Sequence, residues 1–270
     1  MTIPTATGTV LDRILEARIR EVEHRKKVLP ETALKYGVKA ATPLRDFSAA
    51  LLRPGINVIA ELKPASPSRG VIRDPFDPIE LGTSLEAAGA VALSVLTEGE
   101  FFRGSLKNLR DARKSVQLPV LRKDFIFDPW QVWETRANDA DSFLLIVATL
   151  RDAQLTELIR LGRELGMEPV VEVHTREELV RALTAGAKIV GVNNRNLKTL
   201  DVRVETSFEL IDQIPEDCIA VSESGIRTFG ELAKLREAGF DAFLVGTRLM
   251  LTPDPAGALT DLLGGKSRGA

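Results

Sequence analysis

The chain has 270 residues, 44% hydrophobic and 27% charged, with a net charge of -2, so neither nucleic acid nor an anionic membrane surface is an expected partner. Cys218 is the only cysteine, and His24 and His174 are the only histidines, so no disulfide framework and no metal site is expected. The N-terminus has no basic stretch leading into a long apolar run, and no segment reaches the ~20 apolar residues of a membrane span, which predicts a cytoplasmic protein.

Residues 9–29 predict an amphipathic helix, with Leu11, Ile14, Leu15, Ile19 and Val22 at helical spacing. Its basic C-terminal residues suit the helix dipole, and Pro30 ends it. A second short helix is expected over 43–52. Alternation then sets in. Apolar runs rich in Val, Ile, Leu and Phe predict strands at 56–63, 90–97, 119–125, 142–149, 168–174, 188–194, 218–224 and 242–246.

Helical patterns separate them. Asp77-Pro78 and Asp128-Pro129 read as N-cap followed by proline in the first turn, and further helices are expected over 105–116, 151–165, 175–185, 204–214, 228–238 and 254–263. Trp130 and Trp133 are expected in the core. Gly89, Gly166, Gly186 and Gly239 each fall between a helix and a strand, where a left-handed cap is needed. Strands and helices alternating roughly every 26 residues predict an α/β fold, a (β/α)8 TIM barrel. An open doubly wound sheet is the alternative, but the first strand is not followed by a Gly-x-Gly-x-x-Gly turn. The predicted division is a helical N-terminal extension, residues 1–53, capping one end of a single barrel, residues 54–265.

In such a barrel the chemistry lies at the C-terminal ends of the strands. Here they carry charge. The first strand ends in Glu61 and Lys63, whose two-residue spacing turns both toward one face. The third ends in Arg122-Lys123-Asp124-Phe125, the fifth carries Glu172, the sixth ends with Asn193 and Arg195, and the seventh carries Glu223. Two lysines and three glutamates converging on one mouth shift each other's proton affinities, as acid–base chemistry requires. The fourteen residues from Pro64 to Asp77 form an unusually long connection, of the kind that tends to be functional. Ser224-Gly225 and Gly246-Thr247 offer backbone N–H groups to an anion at the last two strands. His174 is expected to be a cap or rim residue.

The stretch Ile59-Ala-Glu-Leu-Lys-Pro-Ala-Ser-Pro-Ser-Arg-Gly70 closely resembles the signature of the indole-3-glycerol phosphate synthase family. Leu-Arg-Lys-Asp-Phe-Ile around Lys123, Val-Val-Glu-Val-His around Glu172, Gly-Val-Asn-Asn-Arg-Asn-Leu around Asn193 and Glu223-Ser-Gly-Ile226 match it in order. The resemblance spans about residues 47–250. Thr247 stands where many relatives have Ser, with the hydroxyl retained.

The resemblance implies a small phosphorylated substrate, 1-(2-carboxyphenylamino)-1-deoxyribulose 5-phosphate, closed to indole-3-glycerol phosphate with loss of carbon dioxide and water. It implies Lys123, Glu172, Lys63, Glu61 and Asn193 as catalytic residues, with Lys123 as the acid of ring closure. Ser66, Arg195, Glu223, Ser224, Gly225, Gly246 and Thr247 are implied as substrate or phosphate contacts, with Arg195 holding Glu61 or Asn193 in place. No cofactor is implied, because the substrate's own nitrogen supports the charge of decarboxylation. A monomer or weak homo-oligomer is expected. A Schiff-base aldolase and a non-catalytic phosphate-binding barrel are the alternative functions on this fold.

Overall fold

The computed structural model describes residues 8–265. Eight parallel strands run in chain order: β1 (Asn57–Leu62), β2 (Ala92–Leu96), β3 (Val120–Lys123), β4 (Ser142–Ile146), β5 (Val170–Val173), β6 (Ile189–Asn193), β7 (Ile219–Glu223) and β8 (Ala242–Val245). Each pairs with its neighbours in sequence, and β1 closes the barrel against β8 with Asn57 opposite Ala242. The (β/α)8 expectation holds.

The strands are short and apolar because both faces are covered. Along β1 the two-residue period sends Ile59 inward to meet Leu121, Leu144, Ile146, Val170, Ile189, Val221 and Leu244. Val58, Ala60 and Leu62 turn outward into the layer beneath the helices. Each fully buried Leu, Ile or Phe of these two layers contributes about 2 kcal/mol. Glu61 and Lys63 continue the inward row.

The surrounding helices start where side-chain caps allow. Asp77, Ser105, Asp128, Thr175, Thr228 and Asp254 each accept a backbone N–H from the first turn of the helix that follows. Gly89, Gly166, Gly186 and Gly239 all have positive φ, as the turn back into a strand requires. Trp130 is buried, its Nε1–H donating to the Leu29 carbonyl at 2.9 Å, while Lys35 lies over the Trp133 ring.

Three local expectations change. Residues 147–149, expected as strand, form a 3-10 turn after β4. Pro30 ends the helix Val10–Val28 but also opens another, Glu31–Ala40, which the sequence pattern did not reveal. The physical reason is that proline lacks only the donor: its carbonyl accepts from the Ala33 N–H at 2.9 Å and starts the new helix. Third, the segment after β1 is no plain loop. Ala65–Ser66 pairs with Gly70–Val71 as a small hairpin, and the Pro64 carbonyl accepts from Ile72 at 2.8 Å.

The N-terminal helices reach both ends of the barrel instead of capping one. Phe47 and Leu51, from the short helix Phe47–Leu51, join the interior cluster, and Asn57 Nδ2 ties that helix down by donating to the Leu51 carbonyl at 2.8 Å. The 19-residue helix Val10–Val28 is about 28 Å long and brings Leu11, Ile14 and Leu15 against Phe101, Phe102, Phe125 and Leu197, which all follow strand ends. Its anchor is ionic. Arg18, buried, meets Asp124 Oδ2 at 2.7 Å, and Arg122 Nη2 meets the same oxygen at 2.8 Å. Thr97 Oγ1 donates to it as well, at 2.5 Å. Burial pushes the Asp124 carboxyl up, but Arg18 and Arg122 outweigh it and hold the group at about 2.

Replacing Arg18 by Ala removes one of the two cations on a buried carboxylate, and should cost about 3 kcal/mol in a urea titration. Glu21→Ala, which removes the partly exposed partner of Arg18, should cost less than about 1 kcal/mol. Asp124 has a depressed pKa, so its contribution is complete above the unfolded value near ~4 and is lost as pH falls toward 2. An Arg18→Ala loss below about 1 kcal/mol would show that the anchor is dispensable.

Candidate active site

The inward rows of alternate strands deliver their last side chains to one place. Lys123, at the end of β3, donates from Nζ to Glu172 Oε2 of β5 at 2.8 Å and to Glu223 Oε2 of β7 at 2.7 Å. Lys63, just past β1, donates to Glu61 Oε1 at 2.5 Å. The glutamates are buried, with 4% of Glu61, 3% of Glu172 and 1% of Glu223 exposed. The two lysine side chains keep 12% and 15% exposure, enough for a ligand in the mouth to reach them.

Electrostatics follow from these counts. Burial opposes the charge on Lys123, but Glu172, Glu223 and Glu61 outweigh it and raise its pKa well above the ordinary lysine range. Glu172 is held low: burial opposes its charge, while Lys123 and His174 stabilise it. Glu223 goes the other way, to about 7, because burial and its neighbour Glu172 together exceed what Lys123 returns. One ammonium cannot fully satisfy two carboxylates with a third nearby. The cluster therefore carries a proton on its acidic side close to neutral pH, and among the described residues no group hydrogen-bonds Glu223 Oε1.

Two glycines make this crowding possible, and both act by lacking a side chain. A Cβ on Gly246 would stand 2.2 Å from Glu61 Oε1, and one on Gly191 would stand 2.3 Å from Glu223 Oε1. Gly246 was expected to serve an anion; its Cα faces Glu61. Gly191 stood only as the first residue of a matched motif, since a glycine inside an apolar run gives no sign of which strand's side chain it accommodates.

The remaining expected residues divide. Asn193 Oδ1 accepts from the Arg195 backbone N–H at 3.0 Å, so Asn193 holds Arg195, the reverse of the expected dependence. Arg195 Nη1 donates to the Leu200 carbonyl at 2.8 Å. Burial holds its guanidinium below the ordinary value, with Glu61 acting against that and Arg69 with it. Ser224 and Gly225 form a left-handed pair at φ 67 and 87, which folds the chain sharply after β7. Thr247 begins the short helix Thr247–Met250, whose first N–H groups have no intrahelical acceptor. Glu223 turns into the barrel toward Lys123, not out to that strand-end turn. Ser66 lies on the hairpin after β1, its Oγ 3.5 Å from Ser68 Oγ.

Asn194 was read only as part of a motif. It is buried, donates from Nδ2 to Ser222 Oγ at 3.2 Å and the Ser224 carbonyl at 3.0 Å, and accepts at Oδ1 from Ser207 N–H at 3.0 Å. It thereby stitches β6 to the turn after β7.

A family model described as indole-3-glycerol phosphate synthase matches residues 11–262. The indole-3-glycerol phosphate synthase of Rhodococcus jostii (strain RHA1) is 49% identical over 255 residues, covering 94% of this chain and 95% of that one. That of Roseiflexus sp. (strain RS-1) is 46% identical, covering 95% and 99%. Among solved structures, a 3-hexulose-6-phosphate synthase from Salmonella typhimurium aligns with a TM-score of 0.63 at 14% identity, over 77% of this chain and 97% of that one, a likeness of fold alone.

Gly191→Ala should destabilise the protein by about 1–3 kcal/mol in thermal unfolding, because the new methyl meets a buried carboxylate. Adding Glu223→Ala should return a large part of that loss, since the clash partner is gone. Strict additivity of the two substitutions would show that Gly191 does not act through Glu223.

Proposed function

The chain belongs to the indole-3-glycerol phosphate synthase family, and on that premise we propose how its barrel mouth carries out the family's reaction. It is a decarboxylating lyase of tryptophan biosynthesis. The substrate is 1-(2-carboxyphenylamino)-1-deoxyribulose 5-phosphate, and the products are indole-3-glycerol phosphate, carbon dioxide and water.

Ring closure joins the carboxylate-bearing ring carbon to the ketone carbon, while the carbonyl electrons move to oxygen and take up a proton. Lys123 supplies it. The observation that carries this assignment is the pair of bonds from its Nζ to Glu172 and Glu223, which hold the ammonium charged and aimed within the mouth. Glu223, sharing a proton near neutral pH, can restore what Lys123 gives up across their 2.7 Å contact. Lys63 pairs with the substrate carboxylate until the bond to carbon dioxide breaks, and the electrons return to the ring. The hydroxyl then leaves as water with a proton from the Lys63 ammonium, and Glu172, kept ionised, removes the C–H proton that completes the indole. Glu61 orients Lys63 through their 2.5 Å contact, and Asn193 braces the Arg195 backbone at the rim.

The turns Ser224-Gly225 and Gly246-Thr247 are assigned to the phosphate, with Ser66 and Arg195 approaching from the loops. Among the described residues no helix is long and apolar enough to cross a membrane, and a phosphorylated metabolite as substrate supports a cytoplasmic site of action. Imine chemistry is disfavoured by the same contacts, since a Schiff base needs a neutral amine and two carboxylates hold Lys123 charged.

Indole formation followed by fluorescence should fall by about 100-fold or more in Lys123→Ala and in Glu172→Gln, and wild-type turnover should survive EDTA. Borohydride in the presence of a ketose phosphate should trap no adduct. Variants that stay within about threefold of wild type would remove Lys123 and Glu172 from the mechanism.

A further inference from the structure

His174 has no part in the chemistry above, yet it stands against it. It follows β5 directly, and its side chain is 8% exposed. Its backbone N–H donates to Glu178 Oε2 at 2.7 Å, and its Nδ1 lies 3.1 Å from the same oxygen. Glu178 is the third residue of the helix Arg176–Thr184, so its carboxylate folds back over the strand end. Across the ring, Nε2 lies 3.2 Å from Glu172 Oε1, near enough for an ion pair though not aligned for a hydrogen bond. Each ring nitrogen therefore faces a carboxylate. A neutral imidazole has one N–H only and would turn a lone pair toward one of them, whereas the imidazolium presents positive charge to both.

We infer that His174 is a positioning residue: clamped by Glu178, its imidazolium grips Glu172 Oε1, keeps Glu172 ionised for proton removal and leaves the cluster's shared proton to Glu223. The two oxygens of Glu172 are then divided, Oε2 to Lys123 and Oε1 to His174. Among the described residues Glu223 has no such second cation, and this asymmetry separates two carboxylates that Lys123 would otherwise treat alike. Burial disfavours charge on His174, but Glu172 and Glu178 outweigh it and raise its pKa to about 9. The charged groups around the clamp are Glu172 on β5, Glu178 on the following helix, Lys123 on β3, and, reached through Lys123, Glu223 on β7 and Glu61 at the end of β1. The inference rests on the reading of Glu172 as the base of the final step.

The chain has two histidines, so protein labelled with 15N-histidine gives two ring systems, and His24→Gln assigns them. His174 should keep imidazolium shifts from about pH 6 to about pH 8. A His174 that is neutral at pH 7 would overturn the proposal without any variant having to fold. In His174→Gln the loss of positive charge raises the Glu172 pKa, so the acid limb of the kcat profile should move up by about one pH unit. kcat measured on that limb should fall about tenfold, with KM nearly constant and the neutral plateau unchanged. Glu178→Gln should lose activity on the alkaline side and regain it as pH falls and His174 recharges. A His174→Gln variant that is less heat-stable but keeps the wild-type pH profile would reduce His174 to a structural group and overturn the inference. Full turnover by Glu172→Gln beside a persistent imidazolium would instead overturn the assignment of Glu172, leaving the clamp intact.

Discussion

A single buried ammonium organises this barrel mouth. Lys123 faces Glu172 and Glu223 within hydrogen-bonding distance and feels Glu61 beyond them, in surroundings that expose almost none of the three carboxylates. Without Lys123 the glutamates could not all remain charged there, because an unpaired buried charge costs several kcal/mol or takes up a proton. With it, charge is nearly but not fully balanced. The residual imbalance settles on Glu223, whose pKa is the one raised toward neutrality.

The scaffold behind Lys123 is built to keep it still. The next residue, Asp124, is locked by Arg122 from its own strand and by Arg18 from the N-terminal helix, and Arg122 also reaches Glu134 at 2.9 Å. The N-terminal helices are therefore part of the site's support. Their apolar face covers the loops after β2, β3 and β6, while Phe47 and Leu51 fill the opposite end of the barrel. A lysine whose backbone neighbour is held from two directions has little freedom to drift from its carboxylates.

Much of this was legible in the sequence. Short apolar runs alternating with capped helices gave all eight strands, and Glu61, Lys63, Lys123, Glu172 and Glu223 stood out because charge at the end of an apolar run is costly without a purpose. Other features had no local signature. Pro30 marks a helix end by its missing donor, and nothing in the pattern tells that its carbonyl will open the helix Glu31–Ala40. His174 reads as a helix cap until Glu172 and Glu178 are seen on its two nitrogens.

The sequence by itself determined the period, the order of the elements and which residue types reach the strand ends, because these depend on spacing along the chain and on neighbours within a few residues. Only the tertiary structure decided which charge meets which. Lys123 and Glu223 are one hundred residues apart, and Gly246 makes room for Glu61 from the other side of the barrel seam. Such pairings are set by strand stagger and closure, which place side chains within ångströms of one another regardless of their distance in sequence. The strengths of the ionic contacts follow from that placement, since burial fixes the local dielectric and so the cost of every charge left unpaired.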